Sequence, residues 1–134
     1  MKIRNSAKAV IFKDNKLLVI KLNDESGIYY LLPGGGQEVG GKLNETLIRE
    51  CIEETGYIVE VQELMFIREC FLDKNIHRVE FIFKCEISDE TKTLIMDKNQ
   101  IGYEWIDIDT IQNEPLFPAG LKKLIKSFSE GIKQ

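Results

Sequence analysis

The order of apolar and polar positions predicts a β-rich start to the chain. Residues 7–12 and 16–22 are β-rich runs separated by the polar segment 13–15 (Lys-Asp-Asn), which is typical of a hairpin turn. A third short run follows at residues 28–32, rich in aromatic and branched side chains. We expect the segment 33–36 (Pro-Gly-Gly-Gly) to end it, because neither regular structure accommodates that sequence easily.

A helical pattern replaces the strand pattern over residues 43–55. Its apolar positions recur at the spacing of an amphipathic helix: Leu43, Leu47, Ile48, Cys51 and Ile52. Gly56 comes next and suits the left-handed conformation that commonly ends a helix.

The second half of the chain predicts more strands and one further helix. Residues 58–71 and 77–87 form two long β-type runs joined by a turn at 73–75, and residues 103–108 form another. A terminal helix is predicted over residues 121–128. Hairpins dominate but helices are interleaved, so we expect an α/β fold with a mixed β-sheet and helices packed on its faces.

Composition narrows the class of protein. The chain has 134 residues, enough for a single domain (1–134) that buries a core without metal or disulfides. Its net charge of -4 argues against a nucleic acid polymer as partner, although a nucleotide with a divalent cation stays open. No apolar run approaches membrane-spanning length and the first residues do not resemble a signal peptide. The three cysteines have no metal-type spacing, so we expect core residues and a cytoplasmic location.

Three carboxylates gather on the predicted helix. At about 100° per residue, Glu50, Glu53 and Glu54 share an arc of about 100°, which we place opposite the apolar face. Clustered like charges repel, whereas a hard divalent cation such as Mg²⁺ uses such oxygen ligands. An acidic solvated face, with Arg49 as partial counter-charge, is the alternative. The glycine-rich segment directly upstream favours a site, because glycines let backbone atoms approach a metal or phosphate closely.

These residues resemble the Nudix box, whose pattern is Gly, five residues, Glu, seven residues, Arg-Glu-apolar-x-Glu-Glu-x-Gly-apolar. Gly35 fits the first position, and the closing block matches without a gap at Arg49, Glu50, Cys51, Glu53, Glu54, Gly56 and Tyr57. The preceding Leu32-Pro33-Gly34 and the following Gln37-Glu38 also look like that family. The resemblance implies an α/β/α sandwich over nearly the whole chain.

The resemblance also implies an activity and a site. It implies hydrolysis of a phosphoanhydride bond in a nucleoside diphosphate linked to another moiety, with Mg²⁺ or Mn²⁺ as cofactor. Glu50, Glu53 and Glu54 become metal ligands, with a backbone carbonyl of Gly35. Glu53 helps to position or deprotonate the attacking water, and Arg49 orients the carboxylates.

The sequence departs from the pattern at two places. The box expects a glutamate where this chain has Gly41, and Glu38 in the same loop is the candidate to replace its charge. The family often has an acidic residue shortly before a late tryptophan, here Trp105, and the usual offset carries none. Candidates for that role are Glu104, Glu80 and Asp97.

Substrate-binding candidates are Gly34, Glu38, Arg78, Glu80 and Glu104. Arg78 and Glu80 alternate with apolar neighbours, so we expect them to share one face of a strand.

Several alternatives stay open at this level. The substrate class is ADP-ribose-like dinucleotides, nucleotide sugars or nucleoside triphosphates. Gly41 and the missing late carboxylate motivate a catalytically weakened nucleotide sensor or interaction module with the same fold. An isomerase acting on a diphosphate is a third hypothesis, and the resemblance is also compatible with a homodimer.

Overall fold

The computed structural model describes residues 2–71, 74–91 and 100–133, with the side chains up to residue 131. Within these ranges, eight strands, two helices and one 3₁₀ turn follow in chain order. They are β1 Lys2–Val10, β2 Phe12–Lys13, β3 Lys16–Asp24, β4 Gly27–Leu31, β5 Gly34–Gly36, α1 Leu43–Thr55, β6 Tyr57–Phe71, β7 Ile76–Glu90, β8 Gln100–Asp107, the 3₁₀ turn Ile111–Asn113 and α2 Leu121–Lys133.

The strands form two sheets. The first has the order β5-β1-β7-β6, and within it β1 runs parallel to β7 while the other pairs are antiparallel. The second is built on β3, which pairs with β2, β4 and β8, all antiparallel. The expected mixed α/β architecture is therefore confirmed, with the strands divided between two sheets.

Each helix covers its own apolar core. Leu47 and Cys51 of α1 pack against Ala7 and Ala9 of β1, and this side of the first sheet is called the packed face below. Leu121 and Ile125 of α2 belong to a second core, which includes the following members of both sheets: Val10, Leu17, Val19, Ile82 and Ile106. Because residues alternate along β1, the two cores lie on opposite sides of that strand. The result is a helix–sheet–helix sandwich.

The cysteines behave as core residues rather than as ligands or disulfides. Cys51 and Cys85 are buried, Cys70 is partly buried, and all three are free thiols. Burial raises the pKa of the Cys51 thiol well above its ordinary value and raises the pKa of Cys85 to about 12. Both buried thiols therefore stay neutral and unreactive at physiological pH.

Several local predictions are confirmed. Helix α1 has the predicted bounds, Leu43–Thr55, and Gly56 ends it with a left-handed φ of 76°. Asp14 and Asn15 adopt positive φ in the predicted hairpin turn. The bounds of the other strands differ by a few residues from the predicted ones. The predicted turn at 73–75 lies partly outside the described residues, because Asp73 is not among them.

Two predictions about strands were wrong. The third strand ends before Pro33, as predicted, but the segment 34–36 is not irregular: it forms β5, which pairs with residues 6–8 of β1. The first strand also begins earlier than predicted, at Lys2, because the whole strand, including its polar first half, pairs with β7 over nine positions. Long-range pairing extends a strand that local propensity leaves short. Among the described residues, neither helix is long and apolar enough to cross a membrane.

Candidate active site

The glycine strand β5 lies unusually close to β1, and this contact explains its sequence. A Cβ atom at Gly34 would stand 2.0 Å from the carbonyl oxygen of Ala7, and Gly34 has a φ of 138°. Both facts exclude an ordinary side chain. The Ala9 backbone N–H also donates to the Pro33 carbonyl over 2.9 Å. The backbone of the turn is therefore held against the edge of the first sheet.

Glu50 of α1 reaches this glycine strand. A Cβ atom at Gly35 would lie 2.6–2.9 Å from the carboxyl carbon and oxygens of Glu50, so the missing side chain leaves the space that the carboxylate occupies. The Glu50 side chain is 18% exposed. The structure thus brings together two of the residues selected from the sequence, an acidic side chain and the backbone of the glycine turn.

Glu54 also reaches the turn, but from the buried side of the helix. It accepts a hydrogen bond from the Gly34 backbone N–H over 2.8 Å and is 7% exposed. The prediction that all three glutamates lie opposite the apolar face was wrong for this residue. Glu54 follows Leu47 by seven positions and Cys51 by three, and such spacings place it on the buried stripe.

Glu53 lies on the outer side of the helix with Arg49. The Arg49 guanidinium stands 3.4 Å from a Glu53 carboxylate oxygen and 3.3 Å from one of Glu50. Both ion pairs are partly exposed, so water screens them. Arg49 therefore lies between two carboxylates, where a positive charge relieves their mutual repulsion.

The loop between β5 and α1 shows what surrounds Gly41. The Gly41 N–H donates to the Glu38 carbonyl over 3.0 Å, and the Gln37 side chain donates to the Gly41 carbonyl over 2.8 Å. The Glu38 side chain is exposed and, within the described residues, forms no ion pair with Arg49. The structure therefore does not place Glu38 as the replacement for the box glutamate.

Arg78 and Glu80 lie on the side of the first sheet opposite the packed face. We call this surface the charged face, and it comprises Arg4, Ser6 and Lys8 of β1, Arg78 and Glu80 of β7, and Arg68 of β6. Arg68 pairs with Glu80 over 2.5 Å. Ser6 is opposite Gly36 and Lys8 is opposite Gly34, so the charged face begins at the glycine strand.

A small cavity opens where the charged face meets the start of α2. It has a volume of about 30 Å³, and it is lined by Lys8, Glu80 and apolar residues, which are Leu31, Leu32, Ile82, Phe117, Pro118 and Leu121. Phe117 is 52% exposed at its rim and its ring contacts that of Tyr29. Two larger surface depressions, of about 320 and 220 Å³, lie around the β2–β3 hairpin, away from the helix glutamates. Of these three, only the small cavity is lined by a residue, Lys8, that pairs with the glycine strand.

Among the described residues, no contact of Glu104 connects it with the glycine strand or with the helix glutamates. It lies on β8 in the second sheet and pairs with Lys21 over 3.1 Å. Burial, and then the negative charge of Glu104, raise the pKa of Tyr30 above its ordinary value. Asp97, the other late candidate, lies outside the described residues.

Sequence reasoning missed Ser6, Lys8 and Gln100. Ser6 and Lys8 carry no local motif, and only their register with β5 and β7 places them beside the glycine strand. The buried Gln100 side chain donates to the Glu54 backbone carbonyl over 2.8 Å, which fixes the end of α1. Gln100 lies before the strand predicted at 103–108 and carried no local signal.

The acidic side chains at this site are of the type that binds a divalent cation, and one contact supports such a role. In the described part of the chain, no three Asp, Glu, His or Cys side chains gather as a ready-made metal site. However, carboxylate and backbone carbonyl oxygens are the ligands that Mg²⁺ and Mn²⁺ prefer. The space beside Gly35, which a Cβ would fill, holds the Glu50 carboxylate directly against the turn backbone.

Comparison with known proteins identifies relatives of this chain. A family model described as the NUDIX domain matches residues 2–128. A 57-residue stretch is 44% identical to an ADP-ribose pyrophosphatase of Methanocaldococcus jannaschii, covering 42% of this chain and 34% of that protein. This chain therefore matches only about a third of that relative. An uncharacterized Nudix hydrolase of Bacillus subtilis is 25% identical over 119 residues, covering 87% of this chain and 74% of that protein.

Solved structures show the same fold. A NUDIX hydrolase from Nitrosomonas europaea superposes with a TM-score of 0.83 at 22% identity, covering 97% of this chain and 90% of that one. A MutT protein from Methanosarcina mazei gives a TM-score of 0.75 at 22% identity, covering 98% and 96%.

Proposed function

The chain belongs to the Nudix family of hydrolases, and on that premise we propose that it cuts a phosphoanhydride bond in a nucleotide-like small molecule with the help of a divalent cation. The observation that carries the proposal is the placement of Glu50 and Glu54 against the glycine strand, with Glu53 one turn away beside Arg49. We further propose that residues 1–134 act as one domain.

The residues that would hold the metal are Glu50, Glu53 and Glu54, together with a backbone carbonyl of the glycine turn at Gly35. When bound, Mg²⁺ or Mn²⁺ would offset phosphate charge and lower the pKa of bound water. Glu54 is fixed by the Gly34 N–H, so it also links the helix to the turn. The turn backbone and α1 therefore keep their relative positions, as a reaction that depends on positioning requires.

The proposed reaction is a hydrolysis at phosphorus. The oxygen of water bonds to one phosphorus, the bridging P–O bond breaks, and the leaving phosphate keeps the electron pair. Glu53 is the most exposed of the three carboxylates and is suited to accept the proton of that water. Arg49 orients Glu50 and Glu53 through charge-assisted hydrogen bonds.

The experiment is a metal-dependent screen with the purified full chain. Nucleoside triphosphates, nucleotide sugars, ADP-ribose and dinucleoside polyphosphates would each be incubated with Mg²⁺ or Mn²⁺, and released nucleotide and phosphate quantified. We expect Glu53→Gln to lower kcat about 100-fold or more on the best substrate. Glu45→Gln is the matched control, because Glu45 is an exposed glutamate in the first turn of the same helix.

Two results would contradict the proposal. One is no turnover on the whole panel with either metal. The other is turnover that Glu53→Gln and Glu45→Gln reduce equally. Tight nucleotide binding by calorimetry without turnover would instead favour a nucleotide sensor.

A further inference from the structure

Strand β8 has a bulge close to its start. Gly102 pairs with Lys21 of β3. The next residue of β3, Leu22, pairs with Gln100 rather than with Ile101. Ile101 is therefore the extra residue on β8, and its side chain is 50% exposed. Bulges of this kind change the direction of a side chain and are frequent next to active sites.

The bulge turns Gln100 towards α1. Leu18 of β3 and its partner Trp105 of β8 both contact the core that α1 covers. Leu22 follows Leu18 by four residues and lies on the same face, so Gln100 opposite Leu22 also faces α1. A regular strand would have placed Ile101 there. The chain thus buries a glutamine, which is 6% exposed, and exposes an isoleucine, the reverse of what burial favours.

The buried amide of Gln100 contacts the end of α1. Its nitrogen donates to the Glu54 backbone carbonyl over 2.8 Å and to the Gly102 carbonyl over 3.3 Å. The last four carbonyls of a helix have no partner within that helix, so this donor satisfies one of them. The Gln100 Oε1 is inaccessible to solvent and, among the described residues, has no hydrogen-bond partner. A buried acceptor without a partner costs stability, so the glutamine is better explained by its contact with Glu54 than by general stability.

Glu54 is therefore held at two points. Its carboxylate accepts from the Gly34 backbone N–H over 2.8 Å, and its backbone carbonyl accepts from Gln100. A shift at the end of α1 would move both groups together, because they belong to one residue. Partners behind a metal ligand fix its orientation, and their loss weakens metal binding.

We propose that Gln100 is a positioning residue for the divalent cation, which holds the backbone of Glu54 so that its carboxylate stays beside the glycine strand. Gln100 acts through Glu54 and does not itself bind the metal. It also links the second sheet, through β8, to the helix that carries the glutamates. The inference rests on the proposed function.

The first test needs neither metal nor substrate. Gln100→Met keeps the length of the side chain and removes the donor. Amide hydrogen exchange of the Gly34 N–H, which is bonded to Glu54, should become at least about tenfold faster in the variant. The Ala9 N–H, which donates to the Pro33 carbonyl in the same turn, is the internal reference and should change less. An equal acceleration of both amides would show general destabilisation and overturn the inference.

The second test measures metal binding directly. The electron paramagnetic resonance signal of free Mn²⁺ falls as the ion binds, and we expect Gln100→Met to bind Mn²⁺ about tenfold or more weakly. Gln112→Met is the matched control, because Gln112 is an exposed glutamine on the 3₁₀ turn. Thr55→Val removes a different hydrogen bond at the same helix end, from the Thr55 hydroxyl to the Cys51 carbonyl, and should keep Mn²⁺ affinity within about twofold.

A shorter amide provides a second variant. Gln100→Asn keeps the polar group but cannot reach the Glu54 carbonyl without rearrangement, so it should show the same changes in exchange and in Mn²⁺ affinity. In turnover, the Mn²⁺ concentration for half-maximal rate should rise as much as the dissociation constant. KM for the substrate at saturating Mn²⁺ should stay within about twofold.

The outcomes separate this inference from the proposed function. Equal Mn²⁺ affinity of the wild type and both Gln100 variants would overturn the inference and leave the hydrolase intact. Weaker Mn²⁺ binding in the variants, without turnover of any substrate by the wild type, would overturn only the proposed hydrolysis. Absence of Mn²⁺ binding by the wild type would overturn both.

Discussion

The two faces of the first sheet are built from the same strands yet differ in every chemical respect. The packed face carries small and apolar residues, Ala7, Ala9 and Cys85, and holds α1. The charged face carries arginines, a lysine, a glutamate and the Ser6 hydroxyl, which has no hydrogen-bond partner in the described part of the chain. Stability explains the first face. The second includes like charges and polar groups without a partner among the described residues, and these add nothing to the stability of the sheet.

The largest effect is expected where the glycine strand meets β1. Gly34→Ala should destabilise the protein by more than about 3 kcal/mol, because the new Cβ would collide with the Ala7 carbonyl at a φ that alanine rarely adopts. Gly36→Ala is the matched control, since a Cβ there has its nearest neighbour at 4.0 Å. Urea unfolding measures both. Equal stabilities would show that β5 is not held as closely as described.

Leu47→Ala tests the packed face alone. Leu47 is fully buried between α1 and β1, so its truncation should cost about 2–5 kcal/mol of unfolding free energy. At a temperature where the variant stays folded, KM should change little, because Leu47 does not reach the charged face. A large rise in KM with unchanged stability would mean that the packed face contributes to substrate binding rather than to stability.

Arg68→Gln tests whether the charged face contains paired as well as unpaired charge. Loss of the guanidinium leaves the Glu80 carboxylate, whose side chain is 10% exposed, without its ion-pair partner, and should cost about 1–3 kcal/mol. The double variant Arg68→Gln/Glu80→Gln should recover part of this loss, since no buried charge is then left alone. The double-mutant cycle is measured by denaturant unfolding, and purely additive losses would contradict the pairing.

The smallest effect is expected at Ser6. Because its buried hydroxyl has no partner among the described residues, Ser6→Ala should leave stability within about 1 kcal/mol or raise it slightly. Thermal unfolding gives the stability of the wild type and of the variant. A clear loss of stability would show that the hydroxyl serves the fold rather than a ligand.

What the sequence predicted well is what local spacing determines. Helix α1, its glycine stop and the acidic cluster follow from residues within one stretch, and the spacing of Arg49 to Gly56 carries the family resemblance. The burial of Glu54 could also have been predicted, because Glu54 follows Leu47 by seven residues and Cys51 by three. Its side chain was instead predicted on the wrong side of the helix. The amphipathic spacing does show on which side of the helix Glu54 lies, if its angle about the helix axis is measured from the apolar residues.

The charged face could not be predicted, because it depends on register between distant segments. Arg4 and Arg78 become neighbours only when β1 and β7 pair in parallel, and Ser6 meets Gly36 only because β5 joins the same sheet. A shift of one residue would have turned each of these side chains to the other face. Arg78 and Glu80 were expected to share one face of a strand. The sequence did not show which face of the sheet this is, or that β1 and the glycine strand lie beside it.

The parallel pairing of β1 with β7 has a consequence for how the protein folds. The antiparallel β6–β7 hairpin is local in sequence, whereas the β1–β7 ladder joins the first residues of the chain to residues 76–84. Contacts of such high sequence separation require the closure of a long loop and form slowly. We therefore expect α1 and the hairpin to acquire structure first, and competence to bind substrate to appear only in the last kinetic phase of refolding.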